Sequence, residues 1–314
     1  MNIIEAIFPV FTIALLGYLL TWAGVFRVGD VPGLTRYVFN IALPILLFDS
    51  LATASLPETV EWTFLLAYYL PALSIFALGM AASGYGFKRR RSERGIFGMS
   101  CAYSNTVLIG LPVITAALGQ EALVPLLMII AIHSAVFFSL TTAVAESGDH
   151  RVKGWSVLQR TVRGMVKNPI VMGLLIGLVF NLLGFTIHPI VHRVITPLRA
   201  SALPVALFVT GAALREYRPM GHMPEASIAM VLKLIVQPLL VWGLGTVLQL
   251  PPLWLTVAVV TAALPTGINA SIFAVKYDRA VAPVATAVLL GTAVSAVTIT
   301  VLLVLLQGMH LPQF

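Results

Sequence analysis

Ten mainly apolar stretches of membrane-spanning length follow one another through the 314-residue chain, joined by short connections. They cover 3–23, 34–54, 60–84, 94–118, 121–144, 167–186, 195–214, 226–248, 252–275 and 280–307. A helix needs about 20 apolar residues to cross the hydrocarbon core of a bilayer. The stretches show no barrel-type alternation, so a closed helical bundle is the arrangement that satisfies the backbone in lipid. Charged residues make up only 10% of the chain, against about 25% in soluble domains. The pattern therefore predicts an all-α membrane protein of ten transmembrane helices.

The connections fix an orientation. Of the 19 Lys and Arg residues, 17 fall on one side of the ten spans, including Arg27, Arg36, the cluster Lys88–Arg91 and Lys276; only Arg193 and Arg199 fall on the other. Lys and Arg concentrate in cytoplasmic connections, so both termini are expected to be extracytoplasmic, in a plasma membrane of the bacterial inner-membrane kind. The net charge of +7 is accounted for by this bias and calls for no nucleic-acid partner. The opening segment has no basic region and no small-residue cleavage site, so it reads as the first span rather than a removed signal. The single cysteine, Cys101, excludes an intrachain disulfide and a multi-cysteine metal site.

The two halves repeat. Pro9, Gly17 and Gly24 recur 160 residues later as Pro169, Gly177 and Gly184, and Ala42–Phe48 matches Ala202–Phe208 as ALPxxLF. Pro71 with Pro238 and Pro125 with Pro283 continue the series at slightly different offsets. Each half holds five spans, 1–144 and 167–314, joined by a linker at 145–166. Five is odd, so the second half enters the membrane from the opposite face, and inverted repeats of this kind are typical of secondary transporters.

In such proteins the binding site lies near the midplane, where Gly or Pro breaks a helix. Span 4 carries Tyr103-Ser104-Asn105-Thr106 followed by Gly110 and Pro112; span 9 carries Pro265-Thr266-Gly267 and Asn269. Interruptions are expected near Gly110–Pro112 and Pro265–Gly267, with the two spans crossing there. Half-helix N-termini then offer N–H groups to a small carboxylate. The plainer reading, a kinked helix whose polar side chains bond internally, holds less well for a pair in matching halves. Asn40, one turn before Pro44, is a further candidate for the same cavity.

His133 lies mid-span, where an ionisable group is a functional hypothesis by default, and a packed neutral imidazole is the alternative. Asp49 and Lys233 sit toward span ends, where snorkelling explains them. Gln237 is placed to bond backbone freed by Pro238. His188 and His192 have a metal-compatible spacing but no third ligand, so no metal is expected, nor any cofactor. The basic stretch Trp155–Arg163 reads as part of the linker. The sequence has no HExxH, GxSxG or P-loop pattern, and an enzyme is not expected.

The segments FPVFTIALLGYLL, NIALPILLF, SNTVLIGLPV, KNPIVMGLLIGLVFNLLG, SALPVALFVTGAAL and LPTGINASIFA, in that order, resemble the auxin efflux carrier family and its bacterial malonate or carboxylate permeases. The resemblance covers nearly the whole chain. It implies a fold similar to the bile acid:sodium symporters, with spans 1, 2, 6 and 7 as a scaffold and spans 3–5 and 8–10 as a moving domain that carries an anion by an elevator mechanism. The expected partners are a small organic anion, the lipid bilayer and a second copy through the scaffold helices. Sodium coupling, proton coupling and uniport stay open at this stage. So do a sodium-coupled carrier of larger steroid-like anions and a membrane sensor that transports nothing.

Overall fold

The computed structural model describes residues 3–56, 61–146, 168–215 and 222–308, which are mainly helical, with short non-helical connections and no strand among the described residues. The helices are α1 (Ile3–Trp22), α2 (Val28–Ala52), α3 (Trp62–Gly86), α4 (Arg91–Ala102), α5 (Thr106–Leu118), α6 (Gln120–Ala145), α7 (Pro169–Leu182), α8 (Pro189–Leu214), α9 (Met223–Val247), α10 (Pro252–Ala263), α11 (Ile268–Tyr277) and α12 (Val281–Gly308). Seven of them, α1, α2, α3, α6, α8, α9 and α12, are long and apolar enough to cross a membrane. Helices α5, α7 and α10 are apolar but shorter. The linker beyond Glu146, with its basic stretch 155–163, lies outside the described residues.

Large apolar side chains face outward along these helices, among them Phe8, Leu15 and Leu19 on α1 and Ile176 and Val179 on α7. Hydroxyls within the helices turn back on their own backbone: Thr21, Thr210, Thr261 and Thr292 each donate to the carbonyl four residues earlier. Such back-bonding satisfies a polar group where water is absent.

Prolines shape the helices in a consistent way. Five-residue π turns occupy Val38–Ala42, Thr106–Gly110 and Leu232–Val236, and in each case a proline, Pro44, Pro112 or Pro238, follows two residues after the turn ends. A proline ring clashes with the carbonyl four residues back and removes one donor. That carbonyl falls inside the π turn each time, and the widened turn accommodates the ring without breaking the helix. A fourth π turn, Ala82–Gly86, ends α3 without a proline.

Two helix pairs interlock at repeat-related positions. Gly17 of α1 lies against the Phe208 carbonyl of α8, and Gly177 of α7 lies against the Phe48 carbonyl of α2, where an added Cβ would stand 2.6 Å from the oxygen. The offset is 160 residues on both sides. Small residues that let backbones approach closely are the main means of packing helices in lipid, where apolar burial gives no net drive. Asn181 of α7 ties the pair further, its Nδ2 lying 2.7–3.3 Å from the carbonyls of Leu51, Ala52 and Ala54 at the end of α2.

Candidate functional site

The site is built where two helices stop and restart. Helix α4 ends at Ala102 and α10 at Ala263; the chain is extended through Tyr103, Leu264 and Gly267, and α5 and α11 then begin. The two extended segments pair antiparallel at Ser104 and Thr266. Asn105 N–H donates to the Pro265 carbonyl and Gly267 N–H to the Tyr103 carbonyl, both at 2.9 Å. Each break thus satisfies backbone groups of the other, which no lone break could do in an apolar interior.

The expected break near Gly110–Pro112 needs correction. The backbone is helical there, and the interruption lies a turn and a half earlier, at Tyr103–Asn105. Pro112 stands in the second position after the π turn, and Gly110 makes room for Leu264, whose Cδ1 would be 2.5 Å from a Cβ at that position. The break at Pro265–Gly267 falls where the glycine predicts it: a Cβ on Gly267 would meet the Tyr103 ring at 2.5 Å.

Side chains lock the crossing. His133 of α6 accepts the Ser104 N–H on Nε2 at 3.0 Å and stacks on the Tyr103 ring, with centroids 4.7 Å apart. The acceptor role places the imidazole proton on Nδ1, which is buried without a partner. The Ser104 hydroxyl meets the Tyr68 hydroxyl at 3.1 Å, and Thr266 Oγ1 donates to the Ser100 carbonyl at 2.7 Å. Tyr103 Oη accepts from Asn269 Nδ2 and lies 3.0 Å from Ser134 Oγ.

A cavity of about 510 Å³ opens beside the crossing, between it and helices α2, α7 and α8. Tyr103, Ser104, Asn105, Thr106, Gly267 and Asn269 line it, with apolar walls from residues such as Phe39, Ile130 and Val209. Gly110, Pro112, Pro265, Thr266 and His133 do not; they are buried behind the wall and hold it in place. Asn40 is exposed and outside the lining, because the neighbouring Phe39 takes the inward direction. Arg36 of α2 lines the cavity and is its only charged group among the described residues. In the sequence it is one more basic residue at a span end; here it is exposed, on the cavity side of α2 with Thr35 and Phe39, and its Nε donates to the Pro32 carbonyl one turn earlier.

Three polar residues differ from their expected settings. Lys233 does not snorkel: it is 0% exposed, and Nζ donates to the Ala262 carbonyl at the end of α10. Asp49 is buried and pairs with Arg199, with His192 Nε2 3.9 Å away. Gln237 does not reach freed backbone; both its amide atoms are buried without a partner. His188 caps α8 through Nδ1, and no cluster of three or more metal-binding side chains forms among the described residues.

A sequence model of a family described as membrane transport protein matches residues 2–303. A protein of Rhizobium meliloti (strain 1021) assigned to malonate transport is 28% identical, across 98% of this chain and 96% of its own length. An uncharacterized transporter of Methanothermobacter thermautotrophicus is 27% identical, across 94% and 95%. Auxin efflux carrier component 3a of rice is 30% identical over 52% of this chain and 28% of its own.

Proposed function

The chain belongs to the membrane transport protein family, and from that premise we propose that it is a secondary transporter of small organic anions, mono- or dicarboxylates of the malonate or auxin-like class. The observation that carries the reading is the charge of the cavity: among its described lining residues Arg36 is present, carboxylates are absent, and the amides of Asn105 and Asn269 face it. The first-turn N–H groups of α5 and α11 have no carbonyl a turn earlier in their helices and add partial positive charge at the same place. A space of about 510 Å³ suits a ligand of this size. The similarity to the R. meliloti protein over nearly the full length of both chains supports the same class.

The movement we propose is an elevator. Helices α4 with α5, and α10 with α11, serve as spans 4 and 9 of two inverted five-span repeats, 1–144 and 167–314. Helices α1, α2, α7 and α8 form the scaffold, with a second copy pairing through it, and α3–α6 with α9–α12 the moving domain. The bonding supports this division. Tyr37–Ser201, Asn181 with the end of α2, and Asp49–Arg199 join scaffold helices to each other. Tyr68–Ser104, Asn269–Tyr103, Tyr277–Glu146 and Arg89–Glu225 join helices of the moving domain. The scaffold side of the cavity is apolar apart from Thr35, Arg36 and Asn168. A second cavity, of about 520 Å³, lies at the other end of α2, lined by Ser50, Thr53, Gln120, Glu121 and Arg199, where the opposite vestibule would open.

Counterflow of labelled malonate in proteoliposomes containing the full chain tests the proposal. Saturable exchange is expected. A folded protein that binds carboxylates but moves none would be a sensor, and would refute the transport reading.

A further inference from the structure

Asp49 is a buried carboxylate with no part in the anion site at the crossing. It stands near the end of α2, its side chain 1% exposed, and pairs through Oδ2 with the Arg199 guanidinium of α8. Its other oxygen, Oδ1, is buried without a hydrogen-bond partner, and His192 Nε2 is 3.9 Å away from it. Attraction inside a buried ion pair does little more than offset the loss of water around it, so stability alone is a weak reason for the pair. What singles it out is the position of Arg199. That side chain is 35% exposed and lines the cavity of about 520 Å³ at the far end of α2, while Asp49 stands behind it and outside the lining. An anion entering there meets a guanidinium already held by a carboxylate, with Glu121 of α6 in the same wall.

The repeat supplies the comparison. Arg36 and Arg199 stand on the repeat-related helices α2 and α8, 163 residues apart against a repeat of 160, which is within about one helical turn of matching positions. Each lines one of the two cavities, at opposite ends of α2. The position 160 residues after Asp49 is Val209, which lies on α8 and lines the first cavity together with Arg36. Where one repeat sets a carboxylate against the arginine of the related helix, the other has an apolar side chain. Arg36 is paired with no carboxylate among the described residues. Related positions thus give one face a free arginine and the other a masked one.

Resting on the elevator reading of anion transport, we infer that Asp49 sets the sidedness of anion affinity: by holding Arg199 it keeps that face a weak anion-binding face, while Arg36 makes the opposite face a strong one. The amides of Asn105 and Asn269 travel with the crossing and serve both faces, so the difference rests with the scaffold. The basic bias of the connections puts the Arg36 face inside. Asp49 is a positioning residue: it acts through Arg199 and touches no ligand.

The test measures malonate counterflow at each face, in inside-out and right-side-out membrane vesicles from a host expressing the full chain, with vesicles lacking it as background. In wild type, half-saturation at the Arg36 face is expected at a malonate concentration roughly threefold to tenfold lower than at the Arg199 face, the range between an exposed charge pair and a partly buried one. Asp49→Asn should lower half-saturation at the Arg199 face by a similar factor and leave the Arg36 face unchanged; loss of a merely structural tie would not tighten binding. Adding Arg199→Gln should cancel the gain. If Asp49→Asn does not fold, Arg36→Gln, at an exposed position, carries the test and should raise half-saturation at its own face alone. Equal half-saturation at the two faces of wild type, no gain at the Arg199 face in folded Asp49→Asn, or an unchanged Arg36 face in Arg36→Gln would overturn the inference and leave the transport reading standing. A wild type that moves no carboxylate from either face would refute the transport reading, and the inference would fall with it.

Discussion

Replacing Asn105 by Ala separates ligand binding from folding more cleanly than any other change at the crossing. The main chain of Asn105 is fixed on both sides, its N–H bonded to Pro265 and its carbonyl accepting from Gly110 N–H, each at 2.9 Å. Its side chain lines the cavity and takes part in none of the hydrogen bonds that lock the crossing. Asn105→Ala therefore removes no internal bond and should change stability by about 1 kcal/mol or less. A hydrogen bond to a charged ligand contributes about 1.5–3 kcal/mol, so the affinity for malonate should fall roughly ten- to a hundred-fold. Asn269→Ala is the contrast: Nδ2 donates to Tyr103 Oη at 3.0 Å, and its loss should also cost about 0.5–1.5 kcal/mol of stability. Isothermal titration with malonate, paired with thermal melts in detergent, reads both quantities. Unchanged affinity in Asn105→Ala would move the anion away from the crossing and refute the reasoning.

Gly177→Ala places a methyl 2.6 Å from the Phe48 carbonyl, and overpacking of this kind should lower stability by about 1–3 kcal/mol, seen as a lower melting temperature with the malonate affinity of the remaining folded protein unchanged. Asp49→Asn breaks a pair whose carboxylate is buried while Arg199 is about a third exposed; between a surface pair at about 0–1 kcal/mol and a buried one at about 3–5 kcal/mol, a loss of about 1–3 kcal/mol is expected from chemical or thermal unfolding. For the orientation, cysteines introduced at Ser55 and at Arg90, both exposed, should react with impermeant maleimide from opposite faces of sealed vesicles, Ser55 from outside. The native Cys101 is buried and should stay silent; labelling of both positions from one face would refute the topology.

Much of the architecture is readable from residue patterns because lipid enforces them. The helix positions follow the apolar runs, and the 160-residue recurrence of Gly17 and Phe48 picks out the residues of two contacts, Gly17 with Phe208 and Gly177 with Phe48. The break at Pro265–Gly267 is legible because glycine and proline sit in it. The break at Tyr103–Asn105 contains neither. What ends α4 there is pairing with the other strand-like segment, a long-range effect with no local signature, and the nearby Gly110–Pro112 misleads because a π turn absorbs the proline. Lys233 misleads for a related reason. Its partner is a backbone carbonyl 29 residues away in sequence, and a carbonyl has no letter.

The distribution of polar contacts bears on how such a protein could move an anion. If the crossing slides as a unit, the bonds that define it, from Ser104 to His133, Thr266 to Ser100 and Lys233 to Ala262, travel with it and none has to break in a medium that offers no replacement. Arg36 belongs to α2 and would stay behind with the scaffold. An anion drawn into the cavity by Arg36 would lose that partner as soon as the crossing left, and a desolvated carboxylate without a counter-charge is costly. In the elevator reading, the partners that travel with the anion are therefore those of the crossing itself, the amides of Asn105 and Asn269 and the first-turn N–H groups of α5 and α11.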